Sequence, residues 1–279
     1  MVKGLRSRLW FIIFLVYGLS YVCRIFEYLV LRTDQTFWGE AFIHKVIGLV
    51  ILFGIAKTCS FSLQDLGFSR RGFWKSFSQG LFLGILTFLL AYAVEVSLLI
   101  SQGKFESLEI YVSSFAVDKN VGRETSLIFF LICIIGNIIN VLMEEGTFRG
   151  LFQKVLEGAY SFIWAGILSS FLFGLWHLMG PLRNYLDGEM TSGGFVLYSL
   201  MMVGTSFLIG FKFVLMTRLT GSLYMAMANH YFNDFIVNIL HVQSQTGTDQ
   251  LMFVRISIAQ GISFILVLFW YLMKKRDSR

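Results

Sequence analysis

Three short polar clusters stand inside otherwise apolar stretches of this 279-residue chain: Glu144-Glu145-Gly-Thr-Phe-Arg149, Phe173-Gly-Leu-Trp-His177 and Asn229-His230-Tyr-Phe-Asn233-Asp234. A charged side chain near the centre of a bilayer costs about 3 kcal/mol on insertion scales, so ionisable groups in such places are candidates for function. Two of the four histidines, His177 and His230, fall in these clusters. Glu145 and Arg149 have i,i+4 spacing and share a helix face, whereas the adjacent Glu144 and Glu145 point about 100° apart. One carboxylate can therefore pair with the arginine while the other faces elsewhere. His230 and Asp234 have the same i,i+4 spacing, which aims an imidazole and a carboxyl into one cavity. A carboxylate, two imidazoles, a second carboxyl and a balancing arginine make an acid–base inventory able to activate a water. The same donors also read as a Zn²⁺ set with an open position for water, although HExxH is absent. Singly, an intramembrane histidine is more often a hydrogen-bonded packing residue, and an i,i+4 Glu–Arg pair often only neutralises itself. Three such clusters on three spans favour a site.

The elements that must position them are membrane helices. With 56% apolar residues, 14% charged, thirty Phe and the single Pro181, the composition lies outside that of soluble domains and fits long uninterrupted helices. Mean hydropathy is +0.69. A spanning helix needs about 20 apolar residues, and about eight segments qualify: 9–31, 42–60, 77–100, 125–157, 161–179, 194–217, 221–241 and 252–273. The expected fold is all-α, a polytopic membrane protein of about eight transmembrane helices around a membrane-embedded cavity. One integral-membrane domain spans 1–279 with no soluble domain left over. The first run is read as a retained span rather than a signal peptide, because it is long and contains Arg24 and Glu27. The fourth is too long for one crossing, so its continuation through Arg149, Gln153, Lys154 and Glu157 is expected to protrude from the hydrocarbon. A short turn at 158–161 makes the fourth and fifth spans antiparallel neighbours, and counting from it puts Glu144 and His177 within about 5 Å in depth. Both are placed nearer the cytoplasmic face than mid-bilayer.

Orientation follows from the basic residues. A cytoplasmic N-terminus puts Lys3, Arg6, Arg8, Arg70, Arg71, Lys75, Lys154, Lys212, Arg218, Lys274, Lys275, Arg276 and Arg279 inside. Outside it leaves Arg32, Lys104, Lys119, Arg123 and Arg183, a bias that satisfies the positive-inside rule with both termini cytoplasmic. In a prokaryote the membrane would be the plasma membrane. The net charge of +6 sits in short clusters flanking apolar runs, which argues for topology and against nucleic-acid binding. Cys23, Cys59 and Cys133 lack CxxC or CxxH spacing and read as packing residues. Segment 63–77 reads as an interfacial amphipathic helix or as a solvated basic loop. Gly80 and Gly84 form a GxxxG pair, given little weight because the pattern is common. Arg24, Glu27, His44, Lys45 and Glu95 are read as structural residues that snorkel near span ends.

The clusters resemble the CPBP intramembrane proteases, the family that includes the type II CAAX prenyl endopeptidase and bacterial relatives linked to bacteriocin production and immunity. Its marks are EExxxR, FxxxH and HxxxN/D in this order, here Glu144-Glu145-xxx-Arg149, Phe173-xxx-His177 and His230-xxx-Asp234. The resemblance places a catalytic core at about 125–241 and implies a metal-free, glutamate-dependent hydrolase; zinc is the less favoured alternative. Amide hydrolysis needs a water deprotonated as it attacks, donors for the oxyanion and a proton for the leaving amine. Glu144 with His177 would activate the water, Arg149 with Glu145 would balance charge, and His230 would donate to the oxyanion. Asp234 stands where the prenyl-endopeptidase branch has Asn; it would orient His230, or donate if protonated, because an ionised carboxylate only accepts. The partners implied are membrane lipids and a peptide or lipidated-protein substrate, with the prenylated CAAX type among the candidates, entering from the cytoplasmic side or laterally. The alternative is a non-proteolytic immunity or regulatory protein on the same fold. A transporter ranks third, since no matching Gly/Pro-broken spans occur in two halves.

Overall fold

The apolar runs fold as helices because, with one Pro in the chain, nothing interrupts their backbone ladders where water is absent. A computed structural model describes residues 2–116 and 119–277. Arg279, counted above for orientation, lies outside the described residues, as do the side chains of Lys3, Arg6 and Lys119. The helices are α1 (Val2–Phe26, continued by a π-turn Glu27–Leu31), α2 (Ile43–Thr58), α3 (Phe73–Ser101), α4 (Leu127–Glu145), α5 (Gln153–Glu157), α6 (Phe162–Trp176), α7 (Met179–Leu186), α8 (Ser192–Thr220), α9 (Tyr224–Ile239) and α10 (Met252–Asp277). A π-helical segment, Gly146–Phe152, joins α4 to α5. This is the expected all-α polytopic membrane fold. Among the described residues, six stretches are long and apolar enough to cross a membrane: Arg8–Gln35, Phe73–Ser101, Leu127–Glu157, Phe162–Leu186, Ser192–Thr220 and Met252–Asp277. The other two expected spans, α2 and α9, are helices of only 16 residues each.

Short α9 lies against α3, α4 and α8. Its crossing with α3 depends on the glycine pair that the sequence reading discounted. A Cβ on Gly80 would sit 2.1 Å from the Met225 carbonyl oxygen, and one on Gly84 would meet the Phe232 ring at 2.9 Å. Only bare backbone lets the two helices approach this closely.

The start of α1 and the end of α10 occupy the same end of the bundle. Trp10 Nε1 donates to Tyr160 Oη at 3.0 Å, Phe162 meets Tyr271, and Lys274 Nζ donates to the Leu219 carbonyl at 2.9 Å. The opposite end carries strands that the sequence reading left as loop: β1 (Phe105–Ile110), β2 (Val112–Ala116), β3 (Lys119–Glu124), β4 (Leu240–Ser244) and β5 (Gly247–Thr248). β1, β4 and β5 form one antiparallel sheet, and β2 pairs with β3.

A polar clamp ties that sheet to the helices. His241 Nδ1 lies 2.6 Å from Asp249 Oδ2, and the other Asp249 oxygen accepts from Arg255 Nη2 at 3.0 Å and from the Val242 amide at 3.0 Å. Arg255 Nη1 donates to Glu95 at 2.8 Å. Burial alone would raise the Asp249 carboxyl, but the His241 hydrogen bond and the Arg255 charge outweigh it and hold it below the usual carboxylate range. Its stabilising contribution is therefore full above about pH 4 and is lost as pH falls through the depressed native value. Asp249→Asn should cost about 2 kcal/mol at neutral pH, and thermal unfolding of the variant should lose less stability on acidification than wild type.

Three expectations are narrowed or corrected. Residues 63–72 form turns rather than an interfacial helix, held by Asp65 accepting from the Ser62 amide at 2.9 Å; Leu66 is buried while Arg70 and Arg71 are exposed, so of the two readings the exposed basic loop stands. The continuation of α4 exposes Lys154 and Glu157 but buries Arg149 and Gln153, so only part of it leaves the packed interior. Arg24, Glu27, His44, Lys45 and Glu95 are buried rather than snorkelling. Glu27, for example, accepts from His44 Nδ1 at 2.6 Å and from the Ile43 amide at 2.9 Å.

Candidate active site

The π-segment begins directly after Glu144 and Glu145, and such local widening recurs at functional sites. The two carboxylates diverge as their spacing requires. Glu145 is fully buried; its Oε1 lies 2.8 Å from His230 Nδ1 and its Oε2 lies 3.3 Å from Arg149 Nε. The Arg149 guanidinium lies 3.9 Å over the Phe173 ring, a cation–π contact that offsets part of its burial. Gly210 makes room for it, since a Cβ there would come within 2.7 Å of Arg149 Nη2.

Glu144 turns the other way, and its Oε1 accepts from Trp176 Nε1 at 2.9 Å. His230 Nε2 faces both remaining carboxylates, 3.7 Å from Glu144 Oε2 and 3.4 Å from Asp234 Oδ2. Both Asp234 oxygens accept amide hydrogens, Oδ2 from Asn140 at 3.0 Å and Oδ1 from Asn233 at 2.9 Å. His177 follows the last residue of α6, and its Nδ1 donates to the Phe173 carbonyl at 2.8 Å. That bond fixes the tautomer in which a neutral ring keeps Nε2 as an acceptor.

Asn140, Glu144, His177, His230 and Asp234 line a cavity of about 740 Å³. Its polar part carries Arg24, Lys45, Asn140, Glu144, His177, His230 and Asp234, and its apolar part carries Met201, Met202, Ile209, Phe253, Ile256 and Phe264. Leu208 and Phe253 line it while remaining 52% and 50% exposed, so it reaches the surface between α8 and α10. Further along, those two helices are tied by buried Lys212, whose Nζ donates to Ser263 Oγ at 3.0 Å, to Asn229 Oδ1 at 2.8 Å and to Gln260 Oε1.

Of the residues singled out from the sequence, Glu144, His177, His230 and Asp234 share this cavity. Glu145 and Arg149 stand behind it as an ion pair that holds His230. Lys212, counted above as an inner-surface charge, is instead completely buried. At 1.5 Å per residue Glu144 lies about 21 Å from Gly158 and about 27 Å from Ser126, which is mid-helix. The remaining lining residues of α1, α9 and α10 fall in the half remote from the termini.

Sequence reasoning missed Arg24, Asn140 and Trp176 as parts of the site. Arg24 had a signal, an arginine inside the first apolar run. Trp176 precedes His177 directly but is apolar enough to pass as core. Among the described residues, no three His, Cys, Asp or Glu side chains are grouped to hold a metal ion. His230 points one nitrogen at Glu145 and the other between Asp234 and Glu144.

Fold and site together define a polytopic membrane protein with a buried acid–base cluster. Residues 126–236 match the family model described as type II CAAX prenyl endopeptidase Rce1-like. This segment carries all three motifs and agrees with the resemblance to the CPBP proteases. The match supports a membrane endopeptidase of the CAAX type in general. No curated protein matches the chain.

Proposed function

We propose that the protein is an intramembrane endopeptidase in which Glu144, assisted by His177, activates the water that attacks a peptide bond. The observation that carries this reading is the placement of both groups in one cavity, with His177 Nε2 free as an acceptor and Glu144 oriented by Trp176. In the reaction the water gives its proton to this pair, its oxygen bonds to the carbonyl carbon, and the departing amine takes the proton back as the C–N bond breaks. The cavity volume falls within the range of about 300–1,000 Å³ usual for ligand sites. Its apolar part suits a membrane-associated peptide, and prenylated CAAX-type peptides are the first substrates to test. With both termini cytoplasmic, as the basic residues favour, the substrate slides in laterally between α8 and α10.

The chemistry proposed is metal-free, which the commitment of His230 to Glu145 and Asp234 supports. Purified protein should cleave a prenylated peptide, read by mass spectrometry, at a rate that strong chelators leave unchanged and with little turnover of the unmodified peptide. Chelator inactivation reversed by Zn²⁺ would replace this chemistry with a metal route.

A further inference from the structure

The tie that Lys212 makes between α8 and α10 continues to the reacting groups. Lys212 is completely buried, and its ammonium donates to three neutral oxygens: Asn229 Oδ1, Ser263 Oγ and Gln260 Oε1. Gln260 lines the cavity, and its Nε2 donates to Asn233 Oδ1 at 2.7 Å. Asn233 Nδ2 in turn donates to Asp234 Oδ1 at 2.9 Å. An unbroken chain therefore runs from the ammonium on α8, through α10, to the carboxyl on α9. Gln260 lies beyond residues 126–236, outside the family match.

The chain has one direction. Lysine only donates, so Gln260 must turn its amide oxygen to Lys212 and its N–H groups to Asn233. Asn233 is constrained in the same way and must present an N–H to Asp234, whose Oδ1 can then only accept. Asp234 Oδ2 accepts from Asn140 at 3.0 Å, which leaves neither oxygen to carry a proton. The carboxylate so held stands 3.4 Å from His230 Nε2, which makes no hydrogen bond among the described residues, while Nδ1 of that ring faces Glu145 at 2.8 Å. A neighbouring carboxylate favours a proton on Nε2, the nitrogen turned toward the cavity. Of the two roles that the sequence allowed Asp234, orienting His230 or donating as Asn would, this arrangement selects the first.

We propose that Gln260, oriented by Lys212, is a positioning residue that keeps Asp234 an ionised acceptor beside His230, an inference that rests on the peptidase reading above. Gln260 acts through Asn233 and Asp234 rather than on the substrate. The direction of the chain matters because residue 234 is a carboxyl. An amide there could present either an oxygen or an N–H and would accept a chain of either direction.

The test compares Gln260→Glu, Asp234→Asn and the double variant with wild type, in cleavage of a prenylated peptide and in binding of a phosphonate peptide whose tetrahedral anion mimics the intermediate. Gln260→Glu keeps the shape of the side chain and, ionised beside Lys212, keeps that bond, but it replaces the donor to Asn233 by an acceptor. Asn233 then turns its oxygen to Asp234, which must take up a proton to meet it. Gln260→Glu should lower kcat about 10- to 10²-fold with KM changed less than about 3-fold, and should weaken phosphonate binding by a comparable factor. In the Asp234→Asn background the same substitution should change kcat and phosphonate affinity less than about 3-fold. Phosphonate affinity reads this coupling even where turnover is low. A merely structural role would cost the same in both backgrounds. Equal losses in the two backgrounds, or wild-type kcat and phosphonate affinity in folded Gln260→Glu, overturn the Gln260 assignment alone. Full activity of Glu144→Gln overturns the peptidase reading beneath it.

Discussion

Glu144→Gln should reduce peptide cleavage by about 10³-fold or more while leaving the fold intact. The amide has the same shape, and its oxygen still accepts from Trp176 Nε1, so the 2.9 Å bond that seats the side chain survives. What disappears is the capacity to take a proton from water. His177→Ala should cost at least about 10²-fold, because the ring nitrogen left free by the Phe173 bond goes with it. The check is kcat for both variants beside their melting temperatures and elution profiles in detergent. Near-wild-type turnover by well-folded Glu144→Gln would remove Glu144 from the chemistry.

Glu145→Ala should act on stability first, at about 3–5 kcal/mol, the usual cost of leaving one member of a buried ion pair alone. Glu145 is the only carboxylate with which Arg149 forms an ion pair among the described residues, and it also holds His230 Nδ1. Truncation strands a guanidinium with Nη1 and Nη2 already unpartnered and frees a histidine in the cavity wall. Glu145→Ala combined with Arg149→Met removes the stranded charge and should recover much of the loss in thermal unfolding without recovering activity. Additive losses in the double variant would show that the two side chains do not act as a pair.

The contrast between these neighbours shows how far the sequence was readable. Their divergence followed from helical geometry alone, as did the pairing of Glu145 with Arg149 and of His230 with Asp234. Span positions were legible because apolar runs are the strongest signal a membrane chain emits. The rest depends on contacts between distant segments. Arg24 and Glu144 are far apart in sequence, and nothing local announces that α1 packs against Trp176. Lys212 looked like a cytoplasmic charge because hydropathy cannot tell a buried lysine with partners on α9 and α10 from one in water. Gly80 counted for little until the Met225 carbonyl was found in the space a side chain would occupy. The strands at 105–124 and 240–248 include short, polar segments whose pairing spans more than a hundred residues, beyond what local pattern reveals.

The central claim is that water, activated by Glu144, attacks the peptide bond directly. Its most direct test is a single turnover in H₂¹⁸O, with enzyme in excess over a prenylated peptide and both products and enzyme read by mass spectrometry. The account predicts one ¹⁸O in the new peptide carboxyl and none in the Glu144 side chain. Label appearing in Glu144 would mean the carboxylate itself attacks, and an uncut peptide would contradict the peptidase assignment altogether.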